Sequence, residues 1–344
     1  MTIGRIVGAV RGRLLIAASW LACHLPEGLL VPLADLAGDL WYRSTPDRAA
    51  QARRNLRRVA VHLAAQDRGS ASVRAAAADP RALEHLVRRA YRHAARYYVE
   101  VARTPALRDE DLDRRLTIET PDLVAEAFAN GPVIFVGLHF GAIELPGLFL
   151  ARRVGGAVAP MQTIDDAGLQ AWFIRTRGAV GLRIVGLREA RRQLLDALRA
   201  GISVGLVGDR DLTGGGTLTT LFGAPASLPL GPAMLAVESG ATPYVVGARR
   251  TGIGAYRARL EPIAVPPGGP RRDRVTTTTR AIATAFERII EDAPDQWWAV
   301  FFPIWPDLEA APAEHEPTAE SPAEESPTGS PRVGSATAGG GTAT

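Results

Sequence analysis

His139 closes an apolar run, Val133 to Leu138, and Glu144 follows five residues later in the stretch GPVIFVGLHFGAIELPGLF (residues 131–149). Gly131-Pro132 reads as a turn and the run after it as a short buried strand. Gly141 to Phe149 reads as the start of an apolar helix, with Pro146 close to its beginning. A histidine at the carboxyl end of a buried strand, just ahead of a helix, sits where open α/β sheets place their ligands. Inside a single helix, His139 and Glu144 would lie about 140° apart, on different faces. With His139 in the turn and Glu144 in the first helical turns, the carboxylate can instead fold back on the imidazole. There it would fix the tautomer while the other ring nitrogen takes a proton. The structural alternative is a buried histidine satisfied by a backbone carbonyl.

Other polar residues fall at comparable places. Arg175 and Arg177 lie in IRTRGAVGLRIV, ahead of a predicted strand, and Asp209-Arg210-Asp211 ends a later one. If these strand ends converge on one edge of a sheet, the set comprises a base, an orienting carboxylate and arginines for anions. That set suits attack by a hydroxyl on an activated acyl group. No nucleophilic Ser or Cys is needed when the acceptor hydroxyl is itself the nucleophile.

Several chemistries are excluded. All 40 basic residues are arginine, so there is no P-loop lysine and no Schiff-base lysine. The single cysteine, Cys23, allows no internal disulfide, and six scattered histidines without an H-E-x-x-H motif predict no metal site. Gly201-Ile202-Ser203-Val204-Gly205 spells a nucleophile elbow, but a helix precedes Ser203 and a strand follows, the reverse of the required order. Gly214-Gly215-Gly216 lacks the directly following helix of a phosphate cradle and reads as a hairpin or lid.

The positioning elements follow from periodicity. Strand and helix patterns alternate from residue 133 to 290, which predicts an α/β fold with a central, mostly parallel sheet flanked by helices. Before it, residues 47–63 and 81–103 read as helices, the second strongly amphipathic. The first 45 residues hold two short apolar helices broken near His24, Pro26 and Glu27, with Pro32 and Asp35 inside the second. They are too interrupted to span a bilayer and are expected to lie on or dip into one; core helices and a cleaved signal peptide are the alternatives. Residues 46–306 form the main domain. From 307 to 344, Pro, Ala, Glu, Ser, Gly and Thr without apolar periodicity predict a disordered tail. Net charge is only +4, but the acidic tail leaves a more basic body suited to anionic partners such as phospholipid headgroups.

LHFGAIE resembles the H-x4-D/E motif of the lysophospholipid acyltransferase superfamily. The wider chain is similar to its branch of lipid A late acyltransferases and phosphatidylinositol mannoside acyltransferases. The likeness runs in order through RRNLRRV (53–59), YYVEVAR (97–103), GPVIFVGLHFGAIEL (131–145) and RTRGAVGLRIV (175–185). It continues through GLVGDRDLTGGG (205–216), LFGAPASLPLGPAMLA (221–236) and APDQWWAVFFPIW (293–305). The resemblance implies a glycerol-3-phosphate acyltransferase-like fold. It also implies transfer of an acyl chain from acyl-CoA or acyl carrier protein, as co-substrate and without a cofactor, to a hydroxyl of a membrane glycolipid or lysophospholipid. No nucleic-acid partner is implied, and the expected location is the cytoplasmic face of the plasma (inner) membrane. It casts His139 as base with Glu144 as its partner, and Arg175, Arg177, Asp209 and Arg210 as substrate contacts. Backbone N–H groups after His139 would stabilise the oxyanion, and a long apolar groove would hold the chain. Two departures stand out: residues 212–237 contain no carboxylate where the mannoside branch carries one, and Trp298 stands where that block usually has a histidine. A lipid-binding scaffold and an acyl-thioester hydrolase are the competing readings.

Overall fold

The computed structural model describes residues 3–178, 181–212 and 214–309. Among them, seven strands form one sheet. In chain order these are β1 (Leu116–Ile118), β2 (Ile134–Gly137), β3 (Ala157–Met161), β4 (Leu182–Gly186), β5 (Ser203–Val207), β8 (Pro243–Gly252) and β9 (Ala255–Pro262). Across the sheet the order is β1-β9-β8-β2-β5-β3-β4. Every neighbouring pair is parallel except β8–β9, a hairpin. The expected α/β architecture is therefore present. A separate antiparallel pair, β6 (Thr217–Leu221) and β7 (Ala224–Leu228), follows the triple glycine.

The alternation of side chains along the central strands assigns the two faces. Val136, Val158, Val204 and Val245 point to one side and are fully buried. They join the main core with α10 (Ala190–Arg199), α11 (Gly231–Ser239) and α12 (Arg271–Ile290). The register pairs Phe135 with Gly205, Gly137 with Val207 and Ala159 with Ile184 on the opposite side. Each of these pairs sets one small residue, Gly205, Gly137 or Ala159, beside a larger one, and α8 (Glu144–Arg153) and α9 (Ala167–Gly178) cover this face without filling it.

The N-terminal half is helical. α1 (Ile3–His24) and α2 (Glu27–Ser44) are longer than the two short segments expected from the sequence. The residues that seemed to interrupt them are accommodated: Pro32 lies inside α2, and the carboxylates of that helix turn inward. Asp35 takes a two-pronged pair from Arg96 (2.6 and 2.6 Å), and Asp39 one from Arg92 (2.9 and 2.8 Å). Both arginines belong to α5 (Pro80–Arg103), which Asp79 caps by accepting from the Arg81 N–H. Gly38 permits the close approach, since a Cβ there would stand 2.7 Å from the Arg92 backbone. α3 (Pro46–Ala65) and the short α4 (Ala71–Ala75) pack beside α5, and α6 (Asp109–Arg115) and α7 (Pro121–Ala129) flank β1. The last two helices and β1 had no counterpart in the sequence reading. Residues 294–308 form three short 3-10 turns that bury Trp297 and Trp305. Beyond Glu309 the expected tail lies outside the described residues.

Candidate active site

Sheet register builds the site. Gly137 pairs with Val207, and two residues beyond each of them stand His139 and Asp209. The two side chains therefore leave neighbouring strand ends at equal height. His139 Nδ1 is 2.7 Å from one Asp209 oxygen, and the other oxygen accepts from the His139 backbone N–H (2.9 Å) and the Trp297 indole N–H (2.8 Å). A carboxylate only accepts, so Nδ1 carries a proton and Nε2 is the ring nitrogen left free to exchange one. Burial alone would push the Asp209 carboxyl pKa up, but His139 and the indole outweigh it and hold the pKa below the usual range.

Glu144 does not take the place expected for it. It opens α8 and meets Arg177, which donates to its two oxygens at 2.5 and 3.3 Å. Among the described residues, Glu144 makes no hydrogen bond to His139. The reason is the link between strand and helix: Gly141 takes φ +52°, its N–H donates to Gln296 O, and Ala142 N–H donates to Ala248 O. Helix α8 therefore starts only at Glu144, aimed toward α9. Burial disfavours the charged Arg177, yet the negative charge of Glu144 more than offsets this and raises its pKa. Arg177 also reaches Met161 Sδ (2.8 Å). Arg175, on the same helix, is exposed and stands apart from this group. The backbone donors expected to face an oxyanion are partly spent, because Phe140, Gly141 and Ala142 all donate within the protein.

Arg210 leaves the site on the other side, its guanidinium 3.6 Å from the centre of the Phe302 ring. Ser203 is a strand residue whose hydroxyl accepts from the Val133 N–H. Sequence reasoning missed Trp297 and, though it noted Trp298 in place of a histidine, gave it no part at the imidazole. Trp297 anchors Asp209. Trp298 donates its backbone N–H to His139 O (3.0 Å) and sets its ring against the imidazole, 4.3 Å between centroids at 68°. Their neighbouring position in a Trp-rich closing block was the available signal.

Beside this group lies an apolar groove of about 170 Å³, open to solvent on one side. The sheet supplies its floor through Gly137, Ala159, Gly205 and Ala248, and α8 its roof through Pro146 and Leu148. The Glu144–Arg177 pair lines it as well.

A mostly parallel sheet with a histidine–carboxylate pair at adjoining strand ends, next to an apolar groove, defines a class of group-transfer or hydrolytic enzymes. Residues 9–302 match the family described as bacterial lipid A biosynthesis acyltransferase, and the chain belongs to that family. It is similar to the phosphatidylinositol mannoside acyltransferase of Mycolicibacterium smegmatis, 27% identical over 219 residues, which cover 62% of this chain and 70% of that one. It is also similar to proteins of the same name from two strains of Mycobacterium tuberculosis. Both are 33% identical over 153 residues, covering 42% of this chain and about half (48%) of each relative.

Proposed function

We propose that the protein is a peripheral membrane O-acyltransferase that acylates a hydroxyl of a glycolipid of the phosphatidylinositol mannoside or lipid A class. The donor is an acyl thioester, acyl-CoA or acyl carrier protein. The observation that carries this reading is the His139–Asp209 pair, with Nδ1 held and Nε2 available beside an apolar groove. Nε2 takes the proton of the acceptor hydroxyl while its oxygen attacks the thioester carbonyl carbon. The tetrahedral intermediate collapses with loss of the C–S bond, and the imidazolium returns the proton to the thiolate. Asp209 steadies the charge that develops on the ring. The start of α8 and Arg177 supply positive potential for the oxyanion. The groove takes the acyl chain, each buried CH₂ contributing roughly 0.8 kcal/mol.

Membrane association is supported by the helical stripe Leu29, Leu33, Leu36 and Leu40 on α2, all more than half exposed, with Leu14, Trp20 and Leu21 on α1. Such a stripe suits a helix lying in the interface on the cytoplasmic side. Among the described residues no helix is long and apolar enough to cross a membrane.

The test is mass spectrometry of membrane lipids from cells producing wild type or His139→Ala, with the host's own lipids as acceptors. A lipid that gains one acyl unit only with wild type supports the reading and identifies the acceptor. Free fatty acid in place of acylated lipid would replace it with thioester hydrolysis, and matching profiles with no turnover of either donor would leave a lipid-binding scaffold.

A further inference from the structure

The carboxylate of YYVEVAR (97–103) reaches the corner that carries His139. Glu100, on α5, accepts from Arg250 Nε and Nη2 at 2.5 and 2.6 Å and from the Tyr256 hydroxyl at 3.0 Å. Arg250 lies on β8 and is buried, and the same Nη2 donates to Gly141 O (2.9 Å). Burial disfavours the cation, but the negative charge of Glu100 more than offsets this and raises the Arg250 pKa. Arg92 and Arg96 direct their forks at carboxylates of α2. Arg250 instead uses its carboxylate to keep a charge inside the fold and turns an N–H onto the backbone of the site.

That corner is held at successive backbone groups. Asp209 accepts from the His139 N–H, the Trp298 N–H donates to His139 O, and Gln296 O accepts from the Gly141 N–H (2.9 Å). Arg250 takes the remaining Gly141 carbonyl. The buried Gln296 carboxamide ties these holders together: its oxygen accepts from the Arg250 N–H (2.8 Å) and its nitrogen donates to Arg250 O (2.9 Å). Gly141, at φ +52°, has no side chain to restrict its backbone, so these bonds set the angle at which the chain leaves His139. Replacing a buried ion pair by well-packed apolar residues is often neutral for stability. What apolar residues could not do is hold Gly141 O.

We propose that Arg250, paired with Glu100, is a positioning residue: by holding Gly141 O it fixes the corner from which His139 meets Asp209 and α8 turns Glu144 toward Arg177. Its effect on turnover rests on the acyl-transfer reading; its effect on the imidazole does not.

The experiment compares wild type, Arg250→Lys and the double variant Arg250→Met with Glu100→Leu, each checked for a cooperative thermal melt. Asp39→Asn, which opens the Arg92 pair between α2 and α5, sets the baseline for losing an ion pair away from the site. Two readouts are taken on the full chain in detergent: steady-state kinetics with an acyl thioester donor, and nitrogen NMR of labelled histidines. The His139 signal is assigned by its loss in His139→Ala. Lysine keeps a charge beside Glu100 but lacks the rigid fork that holds carboxylate and carbonyl together. Both Arg250 variants should lower kcat by about a hundredfold, the scale of a misplacement of about 1 Å, with KM within about threefold. In both, the neutral His139 ring should pass from one tautomer, protonated at Nδ1, to a mixture. Asp39→Asn should keep kcat within about twofold and the single tautomer. A double variant that melts cooperatively with wild-type kcat and an unchanged tautomer makes the pair structural and overturns the proposal. If the double variant does not fold, Arg250→Lys decides by the same two readouts. If wild type transfers no acyl chain, the acyltransferase reading fails and the tautomer alone decides: a mixture in the Arg250 variants supports the positioning role, and no change overturns it.

Discussion

At His139 the proposed chemistry turns on which carboxylate the imidazole meets. The spacing of His139 and Glu144 was plain in the sequence, and so was the strand that presents the histidine. The partner was not legible, because Asp209 lies 70 residues away and arrives through the β2–β5 register. Nothing local in LHFGAIE announces that Gly141 will reverse the backbone and turn Glu144 toward Arg177. The two carboxylates therefore predict different phenotypes. Asp209→Asn should keep much of the packing but present the wrong hydrogen-bonding partner to Nδ1, lowering kcat by about 10²- to 10⁴-fold with little change in KM; steady-state kinetics with either thioester donor decides this. Retention of most of the wild-type kcat would remove Asp209 from the mechanism. Glu144→Gln leaves the Arg177 cation without its counter-charge. We expect it to cost about 1–3 kcal/mol in stability, read from chemical denaturation.

The elements around the site work through backbone and side-chain size. On the groove side of the sheet, Gly205 faces open space: a Cβ built there meets no atom within 4 Å. Gly205→Val should therefore fold and suit the strand, yet obstruct the groove floor. Its expected signature is a drop of at least tenfold in kcat/KM for long-chain donors with short-chain donors spared, measured across a series of chain lengths. An equal loss at every length would mean that the chain lies elsewhere. Gly141 is the opposite case. Its φ is positive, and a Cβ would sit 1.9 Å from Ala248 O, so Gly141→Ala should cost more than about 3 kcal/mol and appear as a large fall in Tm or in soluble yield. The apolar runs that mark these strands, and their alternation with helices, were readable in sequence. The small residues of the floor carry no such signal by themselves, since a glycine in a strand also reads as a bulge or a weakness. The helices before the sheet were readable where their apolar period was strong, as in α5. The short α6, β1 and α7 were missed because each buries too few apolar side chains to show a period.

For the molecule as a whole, buried ionisable groups set the response to acid. Burial lowers the His93 pKa despite the neighbouring Asp295, and the Asp295 and Asp209 carboxyls are held low against the opposing effect of burial. Each of these groups binds a proton more readily in the unfolded chain, so stability falls as pH falls. The His93 contribution begins to be lost below about pH 6.5 and the carboxylate contributions below about pH 4, as each group passes from its unfolded toward its folded pKa. Thermal melts between pH 8 and 3 should therefore decline in two stages, and His93→Gln should remove the upper one. Chain order adds a consequence of the Trp297–Asp209 hydrogen bond. Synthesis proceeds from the N-terminus at roughly 5–20 residues per second, so β2 and β5 emerge before the indole that fixes the Asp209 carboxylate. A nascent chain already resting on the membrane would hold its histidine without the brace that orients it, and the enzyme would become competent only as its last turns leave the ribosome.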